Sequence, residues 1–298
     1  MDEVHLQQIS AHVYARVGVT NASPLTNSFG ANAGVVIGRD AALVVDTLMS
    51  ATEGGQLLSA VRKITDKPLR YAVNTHHHMD HSWGNCTFAA AGATVIGHEY
   101  TRQALYEPAN GLARAQRYRI PAESLAGTVI VPPSLTFRHD LRLDLGGVSV
   151  ELDYPGPTHT AGSITAKVRE DDVVFSGDIL FTNYHVTMID GDVANWCRVL
   201  RALQGTAPRA IVPGHGPLSS VADLQSMEEY LRVFDEQATR LCAGKTAADA
   251  DAIAQELSAV LPGPQRTELP FIVAANLRVR YLLNPCAHLS GNSSCLDG

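Results

Sequence analysis

Short apolar runs and helical repeats take turns along this chain, and their order predicts a layered α/β protein. Residues 12–17 alternate apolar and polar at the period of a half-buried strand. Two apolar runs, 33–38 and 41–46, flank a tight Gly38-Arg39-Asp40 turn and read as a hairpin. Leu57, Leu58, Val61 and Ile64 recur at helical spacing across residues 52–65, and Pro68 lies just beyond. A short buried strand follows at 69–73, then a polar loop, a helix over 82–91, a strand over 93–97 and a helix over 98–105. Between Glu107 and Pro133 the pattern weakens and Pro108, Pro121, Pro132 and Pro133 interrupt it. A long irregular stretch inside a compact domain is often functional, so it reads as a lid or substrate wall.

The second half repeats the theme. Runs 141–145 and 148–152 meet at Gly146-Gly147, and runs 163–168 and 173–175 meet at Glu170-Asp171-Asp172. A helix over 193–203 and a strand over 210–212 follow. From Ser219 the pattern is mainly helical, over 222–241, 247–260 and 271–283, before a polar tail from Asn284. No repeat of solenoid period is present. Two strand-rich halves, each finishing in a helix, suggest a pseudo-duplicated sandwich. The expected division is a sandwich domain over 1–218, a helical segment over 219–285 packed on it, and a flexible tail over 286–298.

Composition narrows the class. At 298 residues the chain buries a sizeable core. A formal charge of −7 without a Lys/Arg-rich run argues against a nucleic-acid partner. No apolar run is long enough to span a bilayer, so no membrane association is expected. Met1-Asp2-Glu3-Val4-His5 is acidic, unlike a secretory leader. Five cysteines, at 86, 197, 242, 286 and 295, include no C-x-x-C pair, which fits free thiols in a reducing cytoplasm. A Cys286–Cys295 pair is the one disulfide considered.

Candidate chemistry concentrates after the 69–73 strand, in Asn74-Thr75-His76-His77-His78-Met79-Asp80-His81. The end of a strand is where open α/β sheets place their sites. His76 and His78 are two apart, so extended backbone points both imidazoles the same way, and His77 the other way. Asp80 and His81 follow where the chain turns and can face a second point. Neutral imidazoles with a carboxylate suit zinc and similar divalent ions. A chance polar loop or a tag remnant is the bland alternative, but a tag would be terminal and would not run on into Asp-His. His159, Asp178 in Phe175-Ser176-Gly177-Asp178, and His215 in Pro213-Gly214-His215-Gly216 each follow a strand beside Gly or Pro, where distant ligands can converge.

In combination and order, His76-x-His78-x-Asp80-His81, His159, Asp178 and Pro213-Gly214-His215-Gly216 resemble the metallo-β-lactamase superfamily. The resemblance runs from the first hairpin through His215. It implies an αββα sandwich, here with a helical C-terminal segment, and two Zn2+ per chain, with iron or manganese also accepted by such ligands. Carried over position by position, His76, His78 and His159 hold the first metal, Asp80, His81 and His215 the second, and Asp178 bridges them. Two cations roughly 3.5–4 Å apart give a hydroxide that attacks a carbonyl, and Asp80 can orient it and accept its proton.

The resemblance also narrows the reaction. A cysteine at the bridging position, or no ligand there, marks zinc β-lactamases, and Asp178 matches neither. The flavin-linked diiron members carry glutamate where His78 stands. The nucleic-acid-processing members insert a domain between the last two ligands, which are close here. A thioester hydrolase of the glyoxalase II-like group is the expected function. The alternatives are a polyketide cyclase/thioesterase, which shares the Val95-Ile96-Gly97-His98-Glu99 type of strand end, a lactonase, a β-lactamase, or a non-catalytic metal-binding module. The expected partner is a small molecule with an ester, thioester or lactam carbonyl. Tyr184 is a candidate hydrogen-bond donor to that carbonyl, and His185 a candidate pocket residue. Trp83 is read as packing at the start of the helix after the motif, with a pocket wall as the alternative, and Arg278 and Arg280 are candidate contacts for an acidic carrier. His5, His12, His98, His139 and His288 are read as core or surface.

Overall fold

The computed structural model describes residues 4–23, 27–262 and 266–283. Cys286, His288, Cys295 and the expected tail lie outside the described residues. Seven strands form one sheet in sequence order: β1 (Gln7–Gln8), β2 (Val13–Arg16), β3 (Ala33–Ile37), β4 (Ala42–Val45), β5 (Leu69–Val73), β6 (Thr94–His98) and β7 (Leu135–Phe137). β1 to β4 pair antiparallel, and β4 to β7 pair parallel. The other sheet contains β8 (Asp140–Asp144), β9 (Ser149–Asp153), β10 (Thr165–Val168), β11 (Val173–Phe181) and β12 (Ala210–His215). Its spatial order is β12-β11-β10-β9-β8, and only β11 and β12 run parallel.

The two-residue period of the strands decides the layers. Val36, Leu43 and Val45 turn one way and meet Val150, Leu152, Phe175 and Val212 of the other sheet. Their neighbours Val35 and Val44 turn the opposite way. With Ala72 they pack on Leu57 and Val61 of α1 (Ala51–Ile64). Each sheet therefore has one face on its partner and one on helices, which is the expected αββα sandwich. The outer face of the second sheet carries α6 (Val193–Thr206), α7 (Val221–Cys242), α8 (Ala250–Ser258) and α9 (Phe271–Asn276), after the short α2 (Met79–Ser82), α3 (Asn85–Ala90), α4 (Glu99–Tyr106) and α5 (Arg114–Arg117) on the first side of the chain. Trp196, Leu200, Leu231, Phe234, Leu257 and Val273 from these C-terminal helices share one core with Ile179, Phe181 and Ile211 of the sheet. Full burial of each large apolar side chain stabilises by about 1.5–3 kcal/mol.

Helix starts follow their caps. Ser50 accepts from the Glu53 N–H at α1, and Asp192 from the Asn195 N–H at α6. Ser220 and Asp223 form a reciprocal capping box at α7. α9 continues as π-helical turns over Leu277–Leu283.

Four local expectations change. The single helix expected over 82–91 is two, α2 and α3, broken at Trp83-Gly84. A Cβ on Gly84 would stand 1.9 Å from the Thr47 carbonyl oxygen, and the Gly84 N–H donates to Leu48 O instead of continuing one helix. The strand expected over 173–175 runs on to Phe181, so Asp178 lies inside β11 and not after it. Two register shifts against β12, on either side of Gly177, bend that strand locally, as a bulge does. His215 is likewise the last residue of β12 itself. The stretch 107–133 is not irregular throughout: it holds α5 and two 3-10 turns, and buries Ala115, Ile120 and Leu125. Strand β7, too short to show alternation, closes it.

Candidate metal centre

The site is built at the ends of strands from both sheets. β5 delivers the chain to His76, and His78 is still extended, with ψ 151°, where α2 begins. The Ser82 hydroxyl donates within this turn to the carbonyls of His77 and His78. The next residues are tied down equally well. His81 O accepts from Thr47 N–H at 3.0 Å and from the Asn74 side chain at 3.1 Å, and Asn74 and Asn85 pair amide to amide. Buried backbone groups are thus satisfied by side chains where no sheet continues. From the other sheet, β11 places Asp178 and β12 places His215. Gly214 permits their approach, because a Cβ there would meet Asp178 Oδ1 at 1.9 Å.

Asp178 stands at the centre with its two oxygens divided. Oδ2 is 3.1 Å from His159 Nε2 and 3.5 Å from His76 Nε2. Oδ1 is 3.1 Å from His81 Nε2 and 3.4 Å from His215 Nε2. The remaining members complete two groups. His78 Nδ1 is 2.9 Å from His159 Nε2, and Asp80 Oδ2 is 3.3 Å from His215 Nε2. The donor atoms of His76, His78, His159 and Asp178 all lie within 4.8 Å of one another, as do those of Asp80, His81 and His215. The structure therefore brings the side chains of all seven candidate ligands together, in two adjoining groups.

Burial and neighbouring charge pull the groups of this cluster in opposite directions. Burial drives His76 well below the ordinary histidine range, and burial lowers His78 as well. Burial alone would lower His81, but Asp178, Asp80 and Asp46 together carry it well above that range. Burial would raise Asp178, yet His81, His215, His76 and His159 hold it well below the carboxylate range. His76 Nε2 and Asp178 Oδ1, both buried, have no hydrogen-bond partner. Ring nitrogens face each other across the cluster, at 3.3 Å for His81 and His215. Imidazole nitrogens and carboxylates that converge in this way are the donor set of a divalent metal, so the residues fit the ions that the resemblance implies.

A second layer orients the rings. Asp46 Oδ2 accepts from His81 Nδ1 at 2.8 Å and from the Thr75 hydroxyl at 2.8 Å, while Oδ1 accepts the Thr75 N–H. Burial raises the Asp46 pKa, opposed by His81 and Thr75. Thr187 O accepts from His159 Nδ1 at 3.1 Å. Asp190 Oδ2 stands 3.1 Å from His78 Nε2, which leaves Nδ1 to face the cluster. Such partners fix which nitrogen is presented. Phe181 stacks on the His215 ring at 5.0 Å, nearly coplanar in tilt.

The cluster floors a cleft of about 730 Å³, mouth included, onto which Asp80, Asp178, His78 and His215 open. Its walls are mostly apolar: Phe29 and Met79 on one side, Leu269, Phe271, Ile272 and Ala275 from the C-terminal segment on another, and Tyr118 from the 107–133 stretch. Among the described residues, Arg114, on α5, is the one Lys or Arg on the wall.

A sequence model of the metallo-beta-lactamase superfamily matches residues 27–215, well over half of the chain. The chain belongs to the metallo-beta-lactamase superfamily. It is 28% identical over 179 residues to the 2,4-dinitroanisole O-demethylase subunit beta of a Nocardioides species, covering 60% of this chain and 51% of that one. It is 32% identical over 138 residues to a hydroxyacylglutathione hydrolase of Methylococcus capsulatus, covering 46% of this chain and 43% of that one. The match thus spans about half of the length of these curated relatives. In three dimensions the metallo-beta-lactamase from Pontibacter korlensis superposes with a TM-score of 0.63 at 20% identity, over 77% of this chain and 99% of that chain. That likeness establishes the fold.

Around this superfamily centre several expectations need correction. Tyr184 is buried beside His215, but its hydroxyl donates to Val19 O at 2.6 Å and it does not line the cleft. Its proton is committed to a backbone carbonyl and not offered to a substrate. His185 points to the Tyr230 hydroxyl at 3.1 Å and also stays out of the cleft. Trp83 is fully buried, and Met79 takes the wall position instead. Arg280 Nη1 donates to the carbonyls of Met188 and Gly191, and Arg278 pairs with Asp251. His77 does not simply turn away: its ring nitrogen groups with His78 and Asp190.

Asp46, Asp190 and Arg114 are side chains at the site that sequence reasoning missed. Asp46 carried a signal, since it ends an apolar strand run just as the ligand loops do. Asp190 and Arg114 sit in stretches without periodicity and carried none.

Proposed function

We propose that this chain is a dinuclear metallohydrolase that cleaves a small thioester, as the glyoxalase II-like members of its superfamily do. The single observation behind this reading is the division of Asp178, whose two oxygens each face a separate pair of histidines at 3.1–3.5 Å. A bridging carboxylate has that disposition. His76, His78 and His159 would hold one cation, Asp80, His81 and His215 the other, with Asp178 shared. Bound there, two divalent cations supply a water acidified to near-neutral pH and polarise a carbonyl.

The chain's own groups do the rest. Asp80 opens onto the cleft beside His215, where its carboxylate accepts a proton from the attacking water and returns it to the departing thiol. Asp46 and Asp190 hold His81 and His78 in orientation. The apolar walls bury the acyl group and exclude bulk water. The relation to a hydroxyacylglutathione hydrolase at 32% identity supports a thioester, and Cys86, Cys197 and Cys242, all free, support a cytoplasmic setting. Among the described residues no helix is long and apolar enough to cross a membrane.

A metal-supplemented panel of acyl thioesters, lactones, cephalosporins and an activated aryl methyl ether tests the reading. The expected result is metal-dependent thioester cleavage with the highest kcat/KM, lost in Asp80→Ala. A higher kcat/KM on lactone, β-lactam or aryl ether reassigns the substrate. No metal-dependent turnover of any of them would make the chain a binding module.

A further inference from the structure

The cleft combines a largely apolar wall with an arginine, and that combination specifies more than a reaction type. Arg114 is mostly buried, with its side chain 17% exposed, and it lines the cleft within α5. Its Nη1 donates to Asn110 Oδ1 at 2.6 Å, which fixes the guanidinium at one corner. Its Nη2 stands 3.9 Å from Asp190 Oδ2, too far for a hydrogen bond, while Asp190 itself stands 3.1 Å from His78 Nε2. The guanidinium therefore reaches a candidate metal ligand through one long ion-pair contact and one short contact, and Asp190 Oδ2 is shared with His78. With Nη1 on Asn110 and only a long ion pair to Asp190, the guanidinium keeps donors to offer in a cleft it shares with Phe29, Tyr118 and Ile272. Arginine presents several donors in a planar fork that matches the two oxygens of a carboxylate.

We propose that Arg114 is a specificity-determining residue that seats an oxyanion on the substrate, a carboxylate or a group of similar geometry, placed a few bonds from the scissile carbonyl. The substrate class is then an acyl compound with an apolar body and one fixed negative charge. The inference rests on the reading of the cluster as a metal-centred hydrolase site. Such a charge would orient the acyl group, with the apolar wall on its flanks and the carbonyl over Asp178. Because the interaction is made in the ground state as well as in the transition state, its loss appears in KM more than in kcat.

The test uses ligands that do not turn over and that anchor on the metals through sulfur, so that the distal group alone varies. Binding of 4-mercaptobutyrate and of 4-mercaptobutyramide to the zinc-loaded protein is measured by calorimetry, with 3-mercaptopropanesulfonate as a third arm. The wild type is expected to favour the carboxylate over the amide at least about tenfold. Arg114→Gln should erase that preference while leaving amide affinity within about twofold, and Arg114→Lys should restore part of it. A sulfonate preferred like the carboxylate shows that the seat reads an oxyanion in general. Equal binding of carboxylate and amide by the wild type, or a preference that survives Arg114→Gln, overturns this inference while the metal-site reading stands. If none of the thiols binds and the protein takes up no zinc, both readings fall together.

Discussion

Asp46 Oδ2 lies 2.8 Å from His81 Nδ1, and this contact leaves Nε2 as the nitrogen that faces Asp178 at 3.1 Å. One buried carboxylate thereby selects the ring face of a ligand that sits on a different element. The same carboxylate holds Thr75, the residue before His76, by both its N–H and its hydroxyl. Asp46→Asn keeps the shape and removes the charge. It should weaken the site formed by Asp80, His81 and His215 by about 10–100-fold, the range for outer partners of metal ligands. Competition with a chromophoric chelator measures this, and an unchanged second affinity would show that Asp46 serves only the backbone.

Tyr184 gives a prediction of small effect. Its hydroxyl donates to Val19 O and burial raises its pKa, so it is held protonated and already used. Tyr184→Phe should leave kcat within a few-fold and reduce stability by about 1 kcal/mol. Loss of an oxyanion donor would instead lower kcat by about 10²–10³-fold. Steady-state kinetics on a cleaved thioester separates the two.

Gly84 separates α2 from α3 and lets the metal loop lie on the Thr47 backbone. Gly84→Ala forces a Cβ to within 1.9 Å of Thr47 O, and backbone is what must move. A destabilisation of about 1–3 kcal/mol is expected, as for other overpacked sites. Urea denaturation of the metal-free protein checks it; a midpoint equal to wild type would contradict the close approach.

The N-terminal strands depend on Asp171, at the turn between β10 and β11, and lose its contribution at low pH. It accepts from the Ser10 hydroxyl, from the His12 N–H at 2.9 Å, and lies 2.9 Å from the His12 ring nitrogen. Burial pushes its pKa up, but these hydrogen bonds outweigh burial and leave it below the ordinary value. A carboxyl with a depressed folded pKa contributes stability above its unfolded pKa of about 3.9, and that contribution is lost as pH falls through the folded value. Asp171→Asn should therefore lower stability at neutral pH and flatten the acid limb below about pH 4. Parallel acid limbs for the two proteins would contradict the assignment.

Much of this was legible in the sequence because the signals were local. The hairpin of β3 and β4, α1, β5 and the long α7 each show a full period of their own pattern. The seven clustered side chains were legible because metal chemistry restricts residue types and because Gly and Pro mark the turns that carry them. What stayed hidden depends on tertiary contact. The extension of β11 through Gly177 and Asp178 is set by pairing with β12, and the break at Gly84 by the backbone of Thr47. Tyr184 and Arg280 look available in sequence, and only the fold shows that they donate to the carbonyls of Val19, Met188 and Gly191. Arg114 became visible only when a stretch without periodicity folded onto the cleft.

The account turns on two cations gripped on either side of one aspartate. Crystals grown with zinc and measured by anomalous diffraction at the zinc edge test that directly. Two peaks are predicted, one among His76, His78 and His159 and one among Asp80, His81 and His215, each beside a different oxygen of Asp178. No peak there, or a single peak displaced to His77, His78 and Asp190, would contradict it.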